Sequence, residues 1–544
     1  MSVFIGYPSF MAYQMMKGKK GNNDGFPSIP GMIARYSASG LTNEQMAANP
    51  VWKNLTGNGY DLQMKNFAWG GMSGVGGYVT KKDVYEYDLD YYLYTFIENS
   101  TKVHDFYIVF ELIGYDENFK DGFNLDVRSI SQGLKYRKTY TKNGIYIFQY
   151  KDEEGLDDLF AIGYNGNGGA RSNFTVKILP LYPGFILGDG VDDFAVTEKE
   201  LNFEDTYTVY TAFVPFQDDP ARNMILCGKN DTKDFSINYS GTHLNFKPST
   251  GVNLAVRIDQ FALLVCKRNK DITTIINLST GESRSLKSVE FISNPGLYYL
   301  WRNIFATFYA KAAIAGQIIC NGYYSTDEDD EKVLDWYKKQ YPWLFFDQAW
   351  TVVGKTNEDE DRATIANIMG NGNDLVLSNF GFAEGSGYNE EGEYAGYLVT
   401  DGVDDKVQSS SFTMNEDWTI VGDWELLSNV QINCGIVKAQ NVYLYNIANG
   451  LLISINNPRS LQSFGTKSLH AICSDGRLYD RNWVEYEYTV DQNFAIVESS
   501  LNIGFNLNNY TQIAFKNLGI YNNQILSKDD CIKAYNYLQT LKAK

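Results

Sequence analysis

The chain of 544 residues has few of the side chains on which metal and nucleophilic chemistry depend. It contains three histidines, His104, His243 and His470, which stand far apart in the sequence. Its six cysteines include no C-x-x-C pair, and the first of them is Cys227. These shortages argue against a zinc site, a Ser-His-Asp centre and a dense disulfide framework.

The chain also lacks a basic surplus and long apolar segments. Lys and Arg number 47 against 65 Asp and Glu, so the net charge is −18. Because phosphate groups are bound by basic surfaces, we expect no nucleic acid as a partner. No segment approaches the roughly 20 apolar residues of a membrane span, so we expect no membrane insertion. Residues 1–24 have no basic start of the kind that opens a signal peptide, and none is expected.

The abundant residues favour β-structure. The chain has 40 Tyr and 32 Phe, which suit half-buried strands, and 48 Gly against 12 Pro, which suit tight turns. Strand patterns are clear at 84–96, 207–216, 261–267 and 417–427, and residues 103–182 form a further strand-rich block. At this length several domains are expected, so we predict an all-β, multidomain protein.

A Gly-rich string occurs twice. NLTGNGYDLQMKNF, from Asn54 to Phe67, recurs as NIMGNGNDLVLSNF, from Asn367 to Phe380, at an offset of 313. The glycines fit tight turns and close packing, and no Gly-Lys-Ser/Thr follows them, so a phosphate-binding loop is not indicated.

A second repeat has a different offset. LGDGVDDFAV at 187–196 recurs as VTDGVDDKVQ at 399–408, an offset of 212, and two pairs of cysteines further on are separated by 207. These pairs are Cys227 with Cys434 and Cys266 with Cys473. A nearly constant offset over some eighty residues indicates a duplicated domain.

Each copy of this domain ends in a predicted helix. The first begins at a capping residue, Ser325 or Thr326, has acids in its first turn, and is stopped by Pro342. The second begins at Ser527. Each copy is therefore a run of strands closed by one short helix.

The DGVDD motif is the sharpest local signal. Gly190 and Gly402 permit the left-handed backbone of a tight turn, in which Asp is also favoured. Three carboxylates within five residues can alternatively bind a ligand such as Ca²⁺, although the spacing differs from an EF-hand loop. The candidate residues, in a turn or a ligand role, are Asp189, Asp192, Asp193, Asp401, Asp404 and Asp405. No cofactor is expected, and whether a metal binds is left open.

The two copies resemble a known domain family. An L-x-D-G-V-D-D or similar start, a DTYTV or DWTI strand and the closing helix resemble concanavalin A-like, laminin-G-like domains. The matches cover about 183–345 and 397–544. The resemblance implies two jelly-roll sandwiches that bind glycans or proteins, in some members with Ca²⁺, while only some members are hydrolases. No family ligand can be placed in the middle of either domain.

The Gly-rich segments resemble a second group. MIARYSASGLTNEQM, NPVWKNLTGNGYDL and NFAWGGMSGVGGY, within 32–78, resemble virion proteins of crAss-like tailed phages that infect gut Bacteroidales. In that group, laminin-G-like domains are strung on such elements in fibre or appendage proteins.

These observations predict a five-part layout. It comprises a Gly-rich N-terminal attachment region at 1–100, a small β-sandwich at 101–182, a laminin-G-like domain at 183–345, a repeated Gly-rich linker at 346–396 and a second laminin-G-like domain at 397–544.

Glycosidase chemistry needs paired carboxylates on one surface, and alternating acids on a strand are candidates for such a pair. Glu86, Asp88 and Asp90 alternate on one predicted strand, and Glu485 and Glu487 on another. The face of the first strand opposite its acids is Tyr and Leu, as in any amphipathic strand with a solvated side. We therefore name no catalytic residue and expect a protein that is not an enzyme.

Together these points predict a phage virion structural protein, a head or tail fibre or appendage, assembled in the host cytoplasm. Its lectin-like domains would contact bacterial surface glycan or other virion proteins, and we expect a homo-oligomer. The alternatives are a bacterial cell-surface glycan-binding protein and a polysaccharide depolymerase.

Overall fold

The structure is a computed structural model of the full chain. It describes residues 24–544 except 71–72, 78–83, 88–92, 98–104, 116–121, 142, 152–158, 166–173, 217–223, 230–234, 241–242, 248–251, 256–259, 288–294, 303–308, 384, 391–393, 428–433, 440–441, 448–449, 456–461, 465–468, 488–496, 504, 507–508, 511, 542 and 544.

The elements follow one another along the chain in four groups. Before residue 78 lie β1 (Met32–Ser37), α1 (Asn43–Ala48), β2 (Val51–Trp52), β3 (Leu62–Lys65) and β4 (Gly74–Val75). Between 78 and 181 lie β5 (Val84–Tyr87), β6 (Leu93–Ile97), β7 (Asp105–Ile113), β8 (Phe123–Ser129), β9 (Gly133–Tyr140), β10 (Gly144–Lys151), β11 (Leu159–Asn165) and β12 (Phe174–Ile178).

The third group contains β13 (Ile186–Asp189), β14 (Phe194–Thr197), β15 (Tyr207–Pro215), β16 (Met224–Gly228), β17 (Ser236–Ser240), β18 (His243–Lys247), β19 (Val252–Ala255), β20 (Ala262–Arg268), β21 (Ile272–Asn277), β22 (Glu282–Lys287), β23 (Tyr299–Leu300), β24 (Lys311–Asn321) and α2 (Asp327–Gln340).

The fourth group follows a 3-10 turn at Pro342–Leu344. It contains β25 (Gln348–Thr351), β26 (Thr364–Ile365), β27 (Leu375–Ser378), β28 (Gly387–Asn389), β29 (Tyr397–Val399), β30 (Lys406–Met414), β31 (Trp418–Leu426), β32 (Cys434–Ala439), β33 (Val442–Ile447), β34 (Gly450–Ile455), β35 (Gln462–Phe464), β36 (Leu469–Cys473), β37 (Arg477–Asp480), β38 (Glu485–Glu487), β39 (Val497–Ile503), β40 (Phe505–Asn506), β41 (Asn509–Tyr510), β42 (Ile513–Asn522) and α3 (Lys528–Thr540).

The prediction of an all-β protein built from several sandwiches is confirmed. The described strands pair antiparallel throughout, and the strands predicted around 207–216, 261–267 and 417–427 form as β15, β20 and β31. These three strands are buried along their whole length or nearly so, because both of their faces are covered.

The first sandwich takes strands from both sides of residues 78–181. One sheet has the order β22-β21-β20-β15-β24-β13-β4, with β1 also paired to β24. The facing sheet has the order β19-β18-β17-β16-β23-β14-β3-β2. Strands β1 to β4 of the Gly-rich segment therefore lie in the same two sheets as the strands of 186–321.

The second sandwich repeats this strand order. One sheet runs β28-β29-β42-β31-β36-β37-β38, with β25 paired to β42, and the other runs β26-β27-β30-β39-β32-β33-β34-β35. Each strand of the first sandwich has a counterpart here, for example β1 with β25, β15 with β31 and β24 with β42. The domain bounds read from the sequence separate 1–100 and 346–396 from the sandwiches, whereas strands β1 to β4 and β25 to β28 lie in the sandwich sheets.

Residues 78–181 interrupt the first sandwich. Their strands form two sheets of their own, with the orders β10-β7-β12-β5 and β6-β11-β8-β9. On the side of the first sandwich, the Tyr182 amide donates to the Gly76 carbonyl at 2.8 Å and the Gly76 amide donates to the Phe185 carbonyl at 2.9 Å. The chain thus leaves and re-enters at neighbouring points. An insertion of this length explains why the Gly-rich repeat is offset by 313 and the DGVDD repeat by 212.

Each sandwich and the insertion has its own apolar core. Trp52 and Trp301 stack in the first, with ring centroids 6.2 Å apart, and both are almost completely buried. Gly188 lies against Trp301, and a Cβ at Gly188 would come within 2.6 Å of that ring. Trp350 and Trp418 lie in the core of the second sandwich.

The two predicted closing helices are confirmed as α2 and α3. The Thr326 hydroxyl accepts from the Asp329 amide at 3.2 Å, and the Ser527 hydroxyl accepts from the Asp530 amide at 3.2 Å, so each helix begins at the predicted cap. Lys338 lies in the last turn of α2. Within the described ranges, no helix is long and apolar enough to cross a membrane.

Candidate functional site

The first DGVDD segment folds as a tight turn between β13 and β14. The Asp189 carboxylate accepts from the amides of Val191 at 2.8 Å and Asp192 at 3.4 Å, while Gly190 has a φ of 78°. Asp193 is 1% exposed, and its carboxylate accepts from the Asp189 amide at 3.0 Å. The Asp189 carboxylate therefore stabilises the turn, and the buried Asp193 carboxylate holds the turn to the sandwich. We call Asp193, and its counterpart Asp405 in the second copy, the inner carboxylates.

The second segment repeats these contacts. The Asp401 carboxylate accepts from the amides of Val403 at 2.7 Å and Asp404 at 3.2 Å, and Gly402 has a φ of 75°. The Asp405 carboxylate, also 1% exposed, accepts from the Asp401 amide at 2.7 Å. All six predicted aspartates thus lie at two equivalent turns.

The Gly-rich repeats bind to these turns. The Asn66 amide side chain donates to the Asp192 carbonyl at 3.0 Å, and the Asn379 side chain donates to the Asp404 carbonyl at 3.0 Å. Both asparagines adopt a left-handed backbone, with φ of 67° and 68°, which Asn tolerates better than most residues. This contact fixes the loop after each asparagine beside its turn.

A serine from each loop approaches the inner carboxylate. The Ser386 hydroxyl accepts from the Gly381 amide at 2.8 Å and donates to the Asp405 carboxylate at 3.1 Å. Ser73 takes the matching position in the first copy, accepting from the Ala68 amide at 2.8 Å. The loop and the turn therefore share one polar network in each copy.

The inner carboxylates are electrostatically unusual. Burial, with a smaller effect from the neighbouring carboxylates, raises the pKa of Asp193 to about 6 and that of Asp405 to about 6. Hydrogen bonds from the surrounding amides act in the opposite direction, because they stabilise the charged form.

An aromatic ring stands on each loop at matching positions. Trp69 and Phe382 are partly exposed and have left-handed backbones, with φ of 52° and 48°. Trp69 stacks on Phe67 at 5.0 Å between centroids. The Phe382 ring centroid lies 5.9 Å from that of Phe380, and the guanidinium of Arg362 lies 5.1 Å from the Phe382 centroid.

Together the turn and the loop form what we call the turn surface. It is made of Asn66, Trp69, Asp189 and Asp192 in the first copy and of Asn379, Phe382, Asp401 and Asp404 in the second.

The carboxylates of each turn also lie close enough to share a cation. One oxygen from each of three aspartates falls within 4.8 Å of the others, in both copies. Calcium takes six to eight oxygen ligands, and three carboxylates supply part of such a set. However, the Asp189 and Asp193 carboxylates accept hydrogen bonds from backbone amides, and these bonds stabilise the turn without an ion. The turn and metal hypotheses both stay predictions.

The other candidate residues that the structure describes do not join the turn surface. Glu485 and Glu487 are exposed on the edge strand β38. Asp88 and Asp90, and the side chain of Glu86, lie outside the described residues. His470 is buried and stacks on Tyr535 at 4.1 Å between centroids, and burial lowers its pKa to about 4.

The role of the Gly-rich loops at this site is not predicted from the sequence. Asn66 and Ser73 lie some 120 residues before the turn that they contact. The available signal was the repeat itself, because the same N-F-x-aromatic spacing precedes both DGVDD turns.

Comparisons with known proteins identify no relatives by sequence. No protein-family model matches the chain, and no curated protein matches it. Among solved structures, the botulinum neurotoxin DC binding domain in complex with rat synaptotagmin II aligns over 91% of this chain and 99% of its own, with 7% identity and a TM-score of 0.29. The Ca²⁺-bound VIP36 exoplasmic/lumenal domain aligns over 27% of this chain and 82% of its own, with 6% identity and a TM-score of 0.20. Similarity at this level carries no functional information about this chain.

The turn and metal hypotheses predict different effects of two alanine variants. Asp189→Ala removes the acceptor of the turn amides, so we expect it to destabilise the first sandwich by about 1 kcal/mol. Asp192→Ala, the matched control, removes an exposed carboxylate and should leave the thermal midpoint unchanged. Differential scanning calorimetry with and without 2 mM CaCl₂ measures both effects. A calcium-dependent stabilisation of the natural protein that either variant abolishes would contradict a purely structural turn.

The raised pKa values predict a gain of stability on mild acidification. An unfolded Asp titrates near pH 4. Between about pH 4 and 6 the folded chain therefore holds protons at Asp193 and Asp405 that the unfolded chain does not. The contribution of these groups is present below this window and is lost as the pH rises through 6.

Thermal midpoints at pH 7.5 and 5.5 test this linkage. On acidification, the midpoint of the natural protein should shift upward relative to that of the Asp193→Asn, Asp405→Asn double variant, which keeps an acceptor oxygen but cannot titrate. Asp192→Asn with Asp404→Asn is the control at the exposed positions, and it should keep most of the upward shift, because the charges of Asp192 and Asp404 raise the two pKa values less than burial does. An equal shift in the natural protein and in the Asp193→Asn, Asp405→Asn variant would show that the inner carboxylates do not carry the effect.

Proposed function

We propose that the chain is a non-catalytic protein that binds uncharged glycan through its two turn surfaces. The observation that carries the proposal is repetition. Two sandwiches whose sequences have diverged keep the same turn, the same asparagine contact and a partly exposed aromatic ring at the same place. Each ring packs partly against the core of its sandwich, and the part that stays exposed is not needed to form the turn.

The chemistry of the turn surface suits a sugar. The exposed parts of the Trp69 and Phe382 rings offer apolar surface against which sugar C–H groups can pack. The carboxylates of Asp192 and Asp404 are exposed acceptors for hydroxyl groups. An acidic surface on a chain with a net charge of −18 repels anionic polymers, which favours a neutral glycan.

Two surfaces in one chain suit a polymeric ligand. Single sugar contacts are weak, and linked sites that bind one polymer raise the overall affinity through effective concentration. Assembly into a homo-oligomer would multiply the sites further. A repeating surface polysaccharide is thus a better ligand than a free oligosaccharide.

We further propose that the chain is a virion component of a tailed phage, a head or tail fibre or appendage, assembled in the host cytoplasm with other virion proteins. The support is the resemblance of residues 32–78 to virion proteins of crAss-like phages. This segment supplies strands β1 to β4 to the first sandwich, so the residues that carry the resemblance belong to a folded domain.

Binding of the full chain to polysaccharide purified from host cells tests the glycan role. We expect Trp69→Ala with Phe382→Ala to weaken binding at least tenfold in biolayer interferometry, because both stacking faces are lost. Each single variant should retain part of the avidity. Tyr136→Ala, at an exposed aromatic residue of the insertion, is the matched control and should bind as the natural protein does. Circular dichroism establishes that each variant is folded.

Two outcomes would contradict the glycan role. One is that the natural protein binds neither the polysaccharide nor intact cells. The other is that the double variant binds as tightly as the natural protein, which would place the ligand elsewhere.

Mass spectrometry of purified virions tests the virion role independently. We expect peptides of this chain at a constant ratio to the major capsid protein across the peak of infectious particles in a density gradient. Their absence from that peak would overturn the virion assignment and leave the glycan role to be judged by binding.

A further inference from the structure

The closing helix of the first sandwich is fastened by a buried ion pair. The Lys267 ammonium on β20 lies 2.8 Å from the Asp330 carboxylate on α2, and the two side chains are 4% and 5% exposed. Lys267 also donates to the Ser325 carbonyl at 3.1 Å. The Asp330 carboxylate accepts from the hydroxyls of Tyr210 at 2.8 Å and Ser325 at 2.7 Å. A buried pair needs such extra hydrogen bonds to offset its desolvation.

The two sandwiches can be superposed in register through one threonine. The Thr208 hydroxyl accepts from the Ser325 amide at 2.9 Å, just before α2. The Thr419 hydroxyl accepts from the Leu526 amide at 2.9 Å, just before α3. Thr208 therefore corresponds to Thr419, and Ser325 corresponds to Leu526.

Strand pairing then places a cysteine where the first sandwich has its lysine. Thr208 pairs with Lys267 across β15 and β20, and Thr419 pairs with Cys473 across β31 and β36. The structural counterpart of Cys473 is thus Lys267, one position after the Cys266 that the sequence offset of 207 selects.

The helix side shows the matching exchange. Asp330 follows Ser325 by five residues, and Cys531 follows Leu526 by five. This register brings Cys473 and Cys531 together, and each thiol shifts the pKa of the other. The Cys473 thiol also lies 4.0 Å from the Leu526 carbonyl, just as Lys267 contacts the Ser325 carbonyl. The second sandwich therefore has a pair of cysteines in place of the ion pair.

The two thiols differ in acidity in a way that suits oxidation. The hydrogen bond from Cys531 and the nearby Arg477 guanidinium lower the pKa of Cys473, although burial acts against them. The same hydrogen bond and burial raise the pKa of Cys531. Both side chains are buried and neither is in a disulfide. Cys473 is therefore the nucleophile of the pair, since the thiolate is the reactive form.

We propose that Cys473 and Cys531 form a disulfide on exposure to a small peroxide, and that this bond fastens α3 covalently to β36 where the first sandwich uses the Lys267–Asp330 ion pair. A small oxidant is required because both sulfur atoms are shielded from larger disulfide reagents.

The reaction balances with one molecule of hydrogen peroxide. The Cys473 thiolate attacks one peroxide oxygen, the O–O bond breaks, and hydroxide leaves and takes up the thiol proton as water. The Cys531 sulfur then attacks the sulfenic sulfur of Cys473, the S–O bond breaks, and the second oxygen leaves as water. The two thiols lose two electrons and two protons, and the peroxide becomes two waters.

Peptide mapping of the full chain tests the proposal. The reduced protein is treated with a small excess of hydrogen peroxide, alkylated in denaturant without reduction, digested and analysed by mass spectrometry. We expect one cross-linked species joining the peptides of Cys473 and Cys531. We also expect a thermal midpoint raised by about 3 °C or more, because the cross-link restricts the unfolded chain, and dithiothreitol should reverse the shift.

Two serine variants separate this pair from the other buried cysteines. Cys531→Ser should lose both the cross-link and the stabilisation, whereas Cys266→Ser, the matched control in the first sandwich, should retain both. Full alkylation of Cys473 and Cys531 after peroxide treatment would overturn the proposal. So would oxidation of Cys473 to a sulfinic acid without a cross-link, or a cross-link between another pair. The result on the natural protein decides even if a variant fails to fold.

Discussion

In each sandwich the DGVDD turn and the Gly-rich loop meet at one buried carboxylate, Asp193 in the first copy and Asp405 in the second. Burying an ionisable group is costly unless its oxygens are hydrogen-bonded. The turn supplies one donor, the amide of Asp189 or Asp401, at 3.0 and 2.7 Å. In the second copy the Gly-rich loop supplies another, the Ser386 hydroxyl at 3.1 Å. The loop and the turn therefore complete each other's polar network, so the Gly-rich repeat is a structural part of the sandwich rather than a flexible linker.

This dependence explains which residues recur and where the chain tolerates an insertion. Asn66 and Asn379 recur because each combines a left-handed backbone with a side chain that reaches the turn. The inserted small sandwich follows the asparagine and serine of the Gly-rich loop in the chain and lies between Gly76 and Tyr182. Two backbone hydrogen bonds at these positions hold the two flanking segments of the first sandwich together. Because the ends are adjacent, the strand order of the first sandwich is the same as that of the second, and the length of the insertion appears in the sequence as a change of repeat offset.

The features that the sequence predicts well are those carried by local patterns. The caps and first-turn acids of α2 and α3 lie within a few residues of the helices that they begin, and the DGVDD turns are defined by their own aspartates and glycines. Sheet membership is different, because pairing of β3 with β14 brings together Leu62 and Thr197 across the whole insertion. No local pattern encodes such a partner. The aromatic and asparagine side chains of the turn surface were missed for the same reason, although the repeat contained the signal.

The duplication also shows that one packing requirement can be met by different chemistry. In both copies the short closing helix is held to one strand of the sheet, β20 in the first sandwich and β36 in the second. The buried Lys267–Asp330 pair requires additional hydrogen bonds, and the Tyr210 hydroxyl donates one of them to Asp330 at 2.8 Å. Two residues after the corresponding threonines, Thr208 and Thr419, the first sandwich has Tyr210 and the second has Val421, which is fully buried. The hydroxyl is therefore absent where the charges are absent. Two thiols do not need such additional hydrogen bonds. The lysine, the aspartate and the tyrosine therefore form one group, and all three are replaced in the second sandwich.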